Sequence, residues 1–97
     1  MHSAPSLSLS TTVVAAPQQI SCEVADEVVL LSVDDGQYYG LNAVGATIWR
    51  SIGEPRTIAE LRDRLLEEYD EVSAEACTRE VTAFVGSMLA LGLIDLA

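Results

Sequence analysis

The residues able to do chemistry in this chain are few and stand apart. Its one histidine is His2, at the N-terminus, and its two cysteines are Cys22 and Cys77, separated by 55 positions. A general base or a nucleophile–histidine–acid triad would depend on His2, with no second group held beside it. A structural or catalytic metal needs several ligands at close local spacing, which Cys22 and Cys77 do not offer. Gly36, Gly40 and Gly45 do not follow the spacing of a phosphate-cradling loop. Of the 15 acidic residues, the pairs Glu67-Glu68 and Asp70-Glu71 read as a solvated helix end and the loop after it. The expectation is therefore a protein that is not an enzyme, with no catalytic residue, cofactor or metal.

The bulk composition narrows the remaining classes. The chain has 97 residues, 49% of them hydrophobic and 21% charged. That is enough apolar material for one core and too much for a chain disordered by composition. The net charge is -10, carried against five arginines and no lysine. Such a surface repels phosphate backbones and anionic lipid, so nucleic acid and membrane are poor partners. No apolar run is long enough for a signal peptide or a span, and the cysteines read as reduced small residues. These features imply a cytoplasmic protein. Residues 1–6 read as a disordered N-terminus and 7–97 as one domain.

The chain changes character at residues 37–49. Before this stretch apolar residues alternate or run in short blocks, and after it they recur every three or four positions. A strand is expected within residues 8–16, where Thr11 to Val14 are mostly β-branched. Ile20, Cys22 and Val24 alternate with polar residues, which suits a short strand or an extended connection. Val28 to Val33 is apolar on both faces, as a central strand is. Asp34-Asp35-Gly36 reads as a hairpin turn, and Gln37 to Leu41 as the returning edge strand. Asn42 is a fitting N-cap for a helix to about Ile52, which Gly53 and Pro55 end. Thr57 and Glu60 make a capping box for a helix to about Tyr69. Ser73 caps a third helix, closed near Leu91 by Gly92. Its apolar stripe is Cys77, Val81, Phe84, Val85, Met88 and Leu91 or Leu89. The class is α+β: a three-stranded antiparallel sheet followed by three helices.

An edge strand carrying no lysine or proline can accept a peptide as a further strand. Four runs sharpen this reading. They are Val29-Leu30-Leu31 with Asp35-Gly36-Gln37-Tyr38-Tyr39-Gly40-Leu41-Asn42, then Val44-Gly45-Ala46-Thr47-Ile48-Trp49, and Pro55-Arg56-Thr57-Ile58-Ala59-Glu60-Leu61. With the ending Leu89-Ala90-Leu91-Gly92-Leu93-Ile94, their order and spacing resemble the PqqD-like proteins over about residues 20 to 95. The resemblance implies a winged helix-turn-helix fold. It also implies recognition of the leader segment of a ribosomally made, modified peptide, which is passed to a modifying enzyme. Carried over to this chain, the peptide-binding strand is Tyr38, Tyr39, Gly40 and Leu41. On the third helix the expected face is Thr78, Val81, Thr82, Val85 and Leu89. Arg79 either meets an acidic leader residue or pairs with Glu75 or Glu80 on its own helix. The Tyr-Tyr-Gly-Leu-Asn and Gly-Ala-Thr-Ile-Trp wording is closer to the lasso-peptide type, whose partner is a leader peptidase. The alternative setting is coenzyme PQQ synthesis, whose partner is a radical enzyme.

Two other classes compete. A winged helix can be a DNA-binding regulator, but Glu75, Arg79 and Glu80 make a poor phosphate-facing set. Alternatively the edge strand pairs with its own copy in a homodimer.

Overall fold

The structure, a computed structural model, describes residues 7–17, 19–25, 27–33 and 36–97. The expected disorder at residues 1–6 and the turn residues Asp34 and Asp35 lie outside these. Three strands lead into the helical part: β2 (Gln19–Val24), β3 (Glu27–Ser32) and β4 (Tyr38–Leu41), all antiparallel, with β3 in the middle. The apolar run over 28–33 is the central strand because both its neighbours supply ladder partners. The segment left open between strand and connection, residues 19–24, is a strand. Gly36 takes φ +69, the left-handed geometry that an Asp-Gly turn requires. Its N–H donates to the Ser32 carbonyl at 2.8 Å, and the Ser32 N–H to Gln37 O at 2.9 Å.

The helices are α1 (Ala43–Ser51), α2 (Ile58–Glu68) and α3 (Ala74–Ala90). Each begins where its cap residue says it should. Asn42 Oδ1 accepts from Gly45 N at 2.8 Å, Thr57 and Glu60 form the reciprocal box, and Ser73 Oγ accepts from Ala76 N. Each such cap is worth about 1 kcal/mol. At the end of α3, Gly92 has φ +75, and Leu93 N–H reaches back to Met88 O while Gly92 N–H reaches Leu89 O. That is the Schellman ending expected there. Gly53 ends α1 without a left-handed φ.

The class is α+β, but the strands form two sheets rather than one. The N-terminal strand, β1 (Thr12–Ala15), does not join β2–β4. It lies between β5 (Arg56–Thr57) and β6 (Ile94–Leu96) in a separate small antiparallel sheet. The strands flanking it have two and three residues, too short for any periodicity to register. This sheet ties the start of α2 and the C-terminal segment to residues 12–15. One core joins everything: Val28, Leu30 and Leu41 from the first sheet, Ile48, Trp49 and Ile52 from α1, Ile58, Leu61 and Leu65 from α2, and Cys77, Val81, Val85 and Met88 from α3. Each fully buried Leu or Ile among them contributes about 1.5–3 kcal/mol.

Candidate functional site

β4 is a terminal strand, and among the described residues its one strand partner is β3. The Ser32–Gln37 bond sets the phase of the ladder. Alternate residues from Gln37 turn their backbone groups toward β3, so Tyr39 and Leu41 do so. Tyr38 and Gly40 turn theirs outward. The outer rim of β4 thus offers two N–H and two C=O groups in strand geometry. Gly40 has no heavy atom within 4 Å of where a Cβ would stand, so another backbone can approach closely there. Side chains divide the other way. Tyr38 is 71% exposed on the outer face of the sheet, whereas Tyr39 is half-buried and Leu41 buried on the core side.

Directly after Leu41 the chain enters α1, and Gly45 lies in its first turn. A Cβ on Gly45 would stand 2.9 Å from Phe84 Cε1 and 3.5 Å from Leu41 Cβ. The missing side chain therefore admits the Phe84 ring from α3, more than it allows contact with the sheet. Phe84 is half-buried and packed on the core. The end of β4, the first turn of α1 and the Phe84 flank of α3 meet at one place.

The other residues expected on α3 are distributed around it. Val81 and Val85 are both 0% exposed, inside the core. They have no surface to offer a partner, and Val85→Asp would unfold the chain before it could report on binding. Thr78, Thr82 and Leu89 are half-buried, but Thr82 points about 160° around the helix from Phe84 at 3.6 residues per turn. On that flank a Cβ on Gly86 would come 3.9 Å from Leu7 Cδ1, so the N-terminal segment lies there. Arg79 is paired with Glu75 at 3.1 Å, one turn earlier on its own helix. The expected stripe is thus split between the core and the flank away from Phe84. Phe84 itself reads from sequence as core. The one sequence signal for its position is Gly45, a costly residue in a helix, and a glycine does not say which side chain it makes room for.

A second concavity, about 500 Å³, lies between α1 and α2 and is lined by Arg50, Arg56 and Arg64 among other polar residues. Its three arginines are already engaged. Arg64 pairs with Glu68 at 3.4 Å, Arg50 with Glu23 at 2.6 Å, and Arg56 Nε donates to Ser51 O. Thr47 Oγ1 donates to Glu68 Oε2 at 3.1 Å. The cleft is a cross-linked surface between two helices. No group of three His, Cys, Asp or Glu placed to hold a metal occurs among the described residues. No helix among them is long and apolar enough to cross a membrane.

Comparison with known proteins bears on the fold as a whole. Residues 27–94 match the family model for coenzyme PQQ synthesis protein D (PqqD). Two solved structures share the fold. One is TbiB1 in complex with the TbiA(beta) leader peptide, with a TM-score of 0.78 and 30% identity, covering 84% of this chain and 94% of that one. The other is lasso peptide synthetase B1 complexed with the leader peptide, with a TM-score of 0.76 and 25% identity, covering 86% and 96%. No curated protein matches the chain in sequence.

Proposed function

The chain belongs to the PqqD family, and from that premise we propose that it binds the leader segment of a ribosomally made precursor peptide. In this reading it performs no catalysis and delivers the precursor to an enzyme that modifies or cleaves it. The observation that carries the reading is the outward backbone of Tyr38 and Gly40 beside Phe84, in a fold shared with two solved proteins that are each complexed with a leader peptide. A leader strand added to β4 gains up to four ladder hydrogen bonds, each worth about 0.5–1.5 kcal/mol net. Side chains settling between β4 and the Phe84 flank add the larger share.

The lasso-peptide setting is favoured over PQQ synthesis, because one structural relative is lasso peptide synthetase B1, which covers nearly the same length. The receiving enzyme is then a leader peptidase, with a radical enzyme as the alternative. A DNA-binding role is disfavoured by the net charge of -10. The strand residues Tyr38, Tyr39, Gly40 and Leu41 remain the proposed contact, with Phe84 in place of the Thr78–Leu89 stripe.

The test is an amide-shift titration with a synthetic leader peptide of a precursor sought among the neighbouring genes. Shifts should cluster on residues 38–42 and around Phe84. A cluster on β2 or on α2 would overturn the placement. A concentration series by light scattering on the free chain separates a monomer from a dimer closed through β4.

A further inference from the structure

The sheet β2–β3–β4 has a second face, turned away from the helices. Val28, Leu30 and Leu41 are buried in the core, so the residues between them, with their ladder partners on β2, point outward. That sets Ile20, Cys22 and Val24 beside Val29, Leu31 and Tyr38. Ile20 is 58% exposed and Val24 60%. β2 is thus patterned inside out. Its polar residues Gln19, Ser21 and Glu23 take the side of the core, while its apolar residues face water. Scattered exposed valines need no explanation, but an apolar face running across three strands marks an interaction surface.

The register says what fits it. Ile20, Leu31 and Tyr38 form one row across the sheet, and Cys22, Val29 and Gly40 the next. The first row is large and the second small, and Gly40 leaves open space where a Cβ would stand. A two-fold axis between the rows, across the strands and in the plane midway between two stacked sheets, lays each row on the other row of a second copy. Tyr38 then covers the partner copy's bare glycine position, Leu31 meets a valine and Ile20 a cysteine. Every contact is large on small, as close packing requires, and the one rotation makes each of them twice.

We propose that this face is the interface of a homodimer in which two such sheets stack as the halves of a β-sandwich. The proposal does not rest on the leader-binding reading, since the β4 rim lies at the side of the stack and stays open. Charge favours a second copy over a basic partner. Among the described residues of these strands, Glu27 is the one charge on the outer face, at its margin. Glu60, Glu67, Glu68, Glu75 and Glu80 are on α2 and α3, behind the sheet. The shortest dimension of the chain is 22 Å, so the acidic helices of two stacked copies stand further apart than the screening length of about 8 Å. A three-stranded face is smaller than the about 800 Å² per partner of a standard interface. The dimer is therefore reversible, with a dissociation constant in the micromolar range.

Cys22 reports on the face directly, because it lies on it and is exposed, whereas Cys77 is buried. Light-scattering mass and the rate of Cys22 alkylation by iodoacetamide are measured from low micromolar to near millimolar chain, for the wild type and Ile20→Lys. Wild-type mass should double across the series while Cys22 becomes protected at least roughly fivefold, the fraction dimeric setting both. Ile20→Lys buries a charge in the stack and should raise the dissociation constant roughly tenfold or more. A monomer at every concentration, with constant Cys22 reactivity, overturns the proposal and leaves the face to a different protein. A dimer that Ile20→Lys leaves unchanged, with Cys22 still reactive, also overturns it and assigns the contact to the β4 edge. If Ile20→Lys does not fold, Cys22→Arg read by mass alone serves the same comparison.

Discussion

The sheet β2–β3–β4 ends in two open strands, and they differ in everything except backbone. β2 is the longer, with six residues, five of them exposed, against four residues in β4. Strand length alone would favour β2 as the place where a peptide adds. Its outward-turned residues by the same ladder phase are Gln19, Ser21 and Glu23, so a charge guards the rim. Glu23 is occupied by Arg50 across a surface ion pair, an interaction worth at most about 1 kcal/mol. β4 carries no charge and runs straight into a helix, with a phenylalanine from another helix standing at its end. Ladder bonds are weak in net terms and indifferent to sequence. What separates the two rims is the presence of apolar surface beside one of them, and that surface is why β4 is the proposed one.

The largest effect expected from breaking this difference is Phe84→Ala. Truncating a packed aromatic costs about 2–3 kcal/mol at a half-buried site, lowering the melting temperature by about 10–20 °C. Leader affinity should fall at least roughly tenfold under conditions where the variant remains folded. Calorimetry and fluorescence polarisation give the two numbers. A stability loss with unchanged affinity would remove the apolar flank from the account. A paired substitution then sharpens the contrast at the backbone. Gly40→Pro removes an outward donor from β4 and should reduce affinity roughly tenfold or more, whereas Ser21→Pro removes an outward donor from β2 and should leave affinity within about twofold. Equal losses would mean that the two rims are equivalent.

The sequence carried most of the β4 side of this comparison. Two-residue alternation placed Tyr38 and Gly40 on one face and Tyr39 and Leu41 on the other, and three cap residues fixed where the helices begin. It did not carry the second sheet, because β5 and β6 are pairings of two and three residues whose partners are distant in sequence. It also put two core residues, Val81 and Val85, on the expected face of α3. Val81 and Val85 suit a binding stripe as well as they suit a core, since apolar periodicity marks a buried face without saying what buries it. Which flank faces β4 depends on how α3 crosses α1, a tertiary fact with no local signature. Gly45 held the nearest hint, and only its neighbour in space gives it meaning.

That neighbour makes Gly45→Ala the smallest effect and the most discriminating one. In an open helix the change is stabilising by about 1 kcal/mol. Here the new methyl would stand 2.9 Å from the Phe84 ring, with Asn42 Oδ1 at 3.4 Å and Leu41 Cβ at 3.5 Å. Displacing a ring in a packed site costs about 1–3 kcal/mol, so the net change should be destabilising by about 1 kcal/mol. In a Phe84→Leu background the close contact is relieved, and the same substitution should become neutral or stabilising. Thermal melts of the four proteins in this cycle measure the coupling directly. A sign that does not change would mean that Gly45 and Phe84 are not in contact, and β4 would then have no more beside it than β2 has.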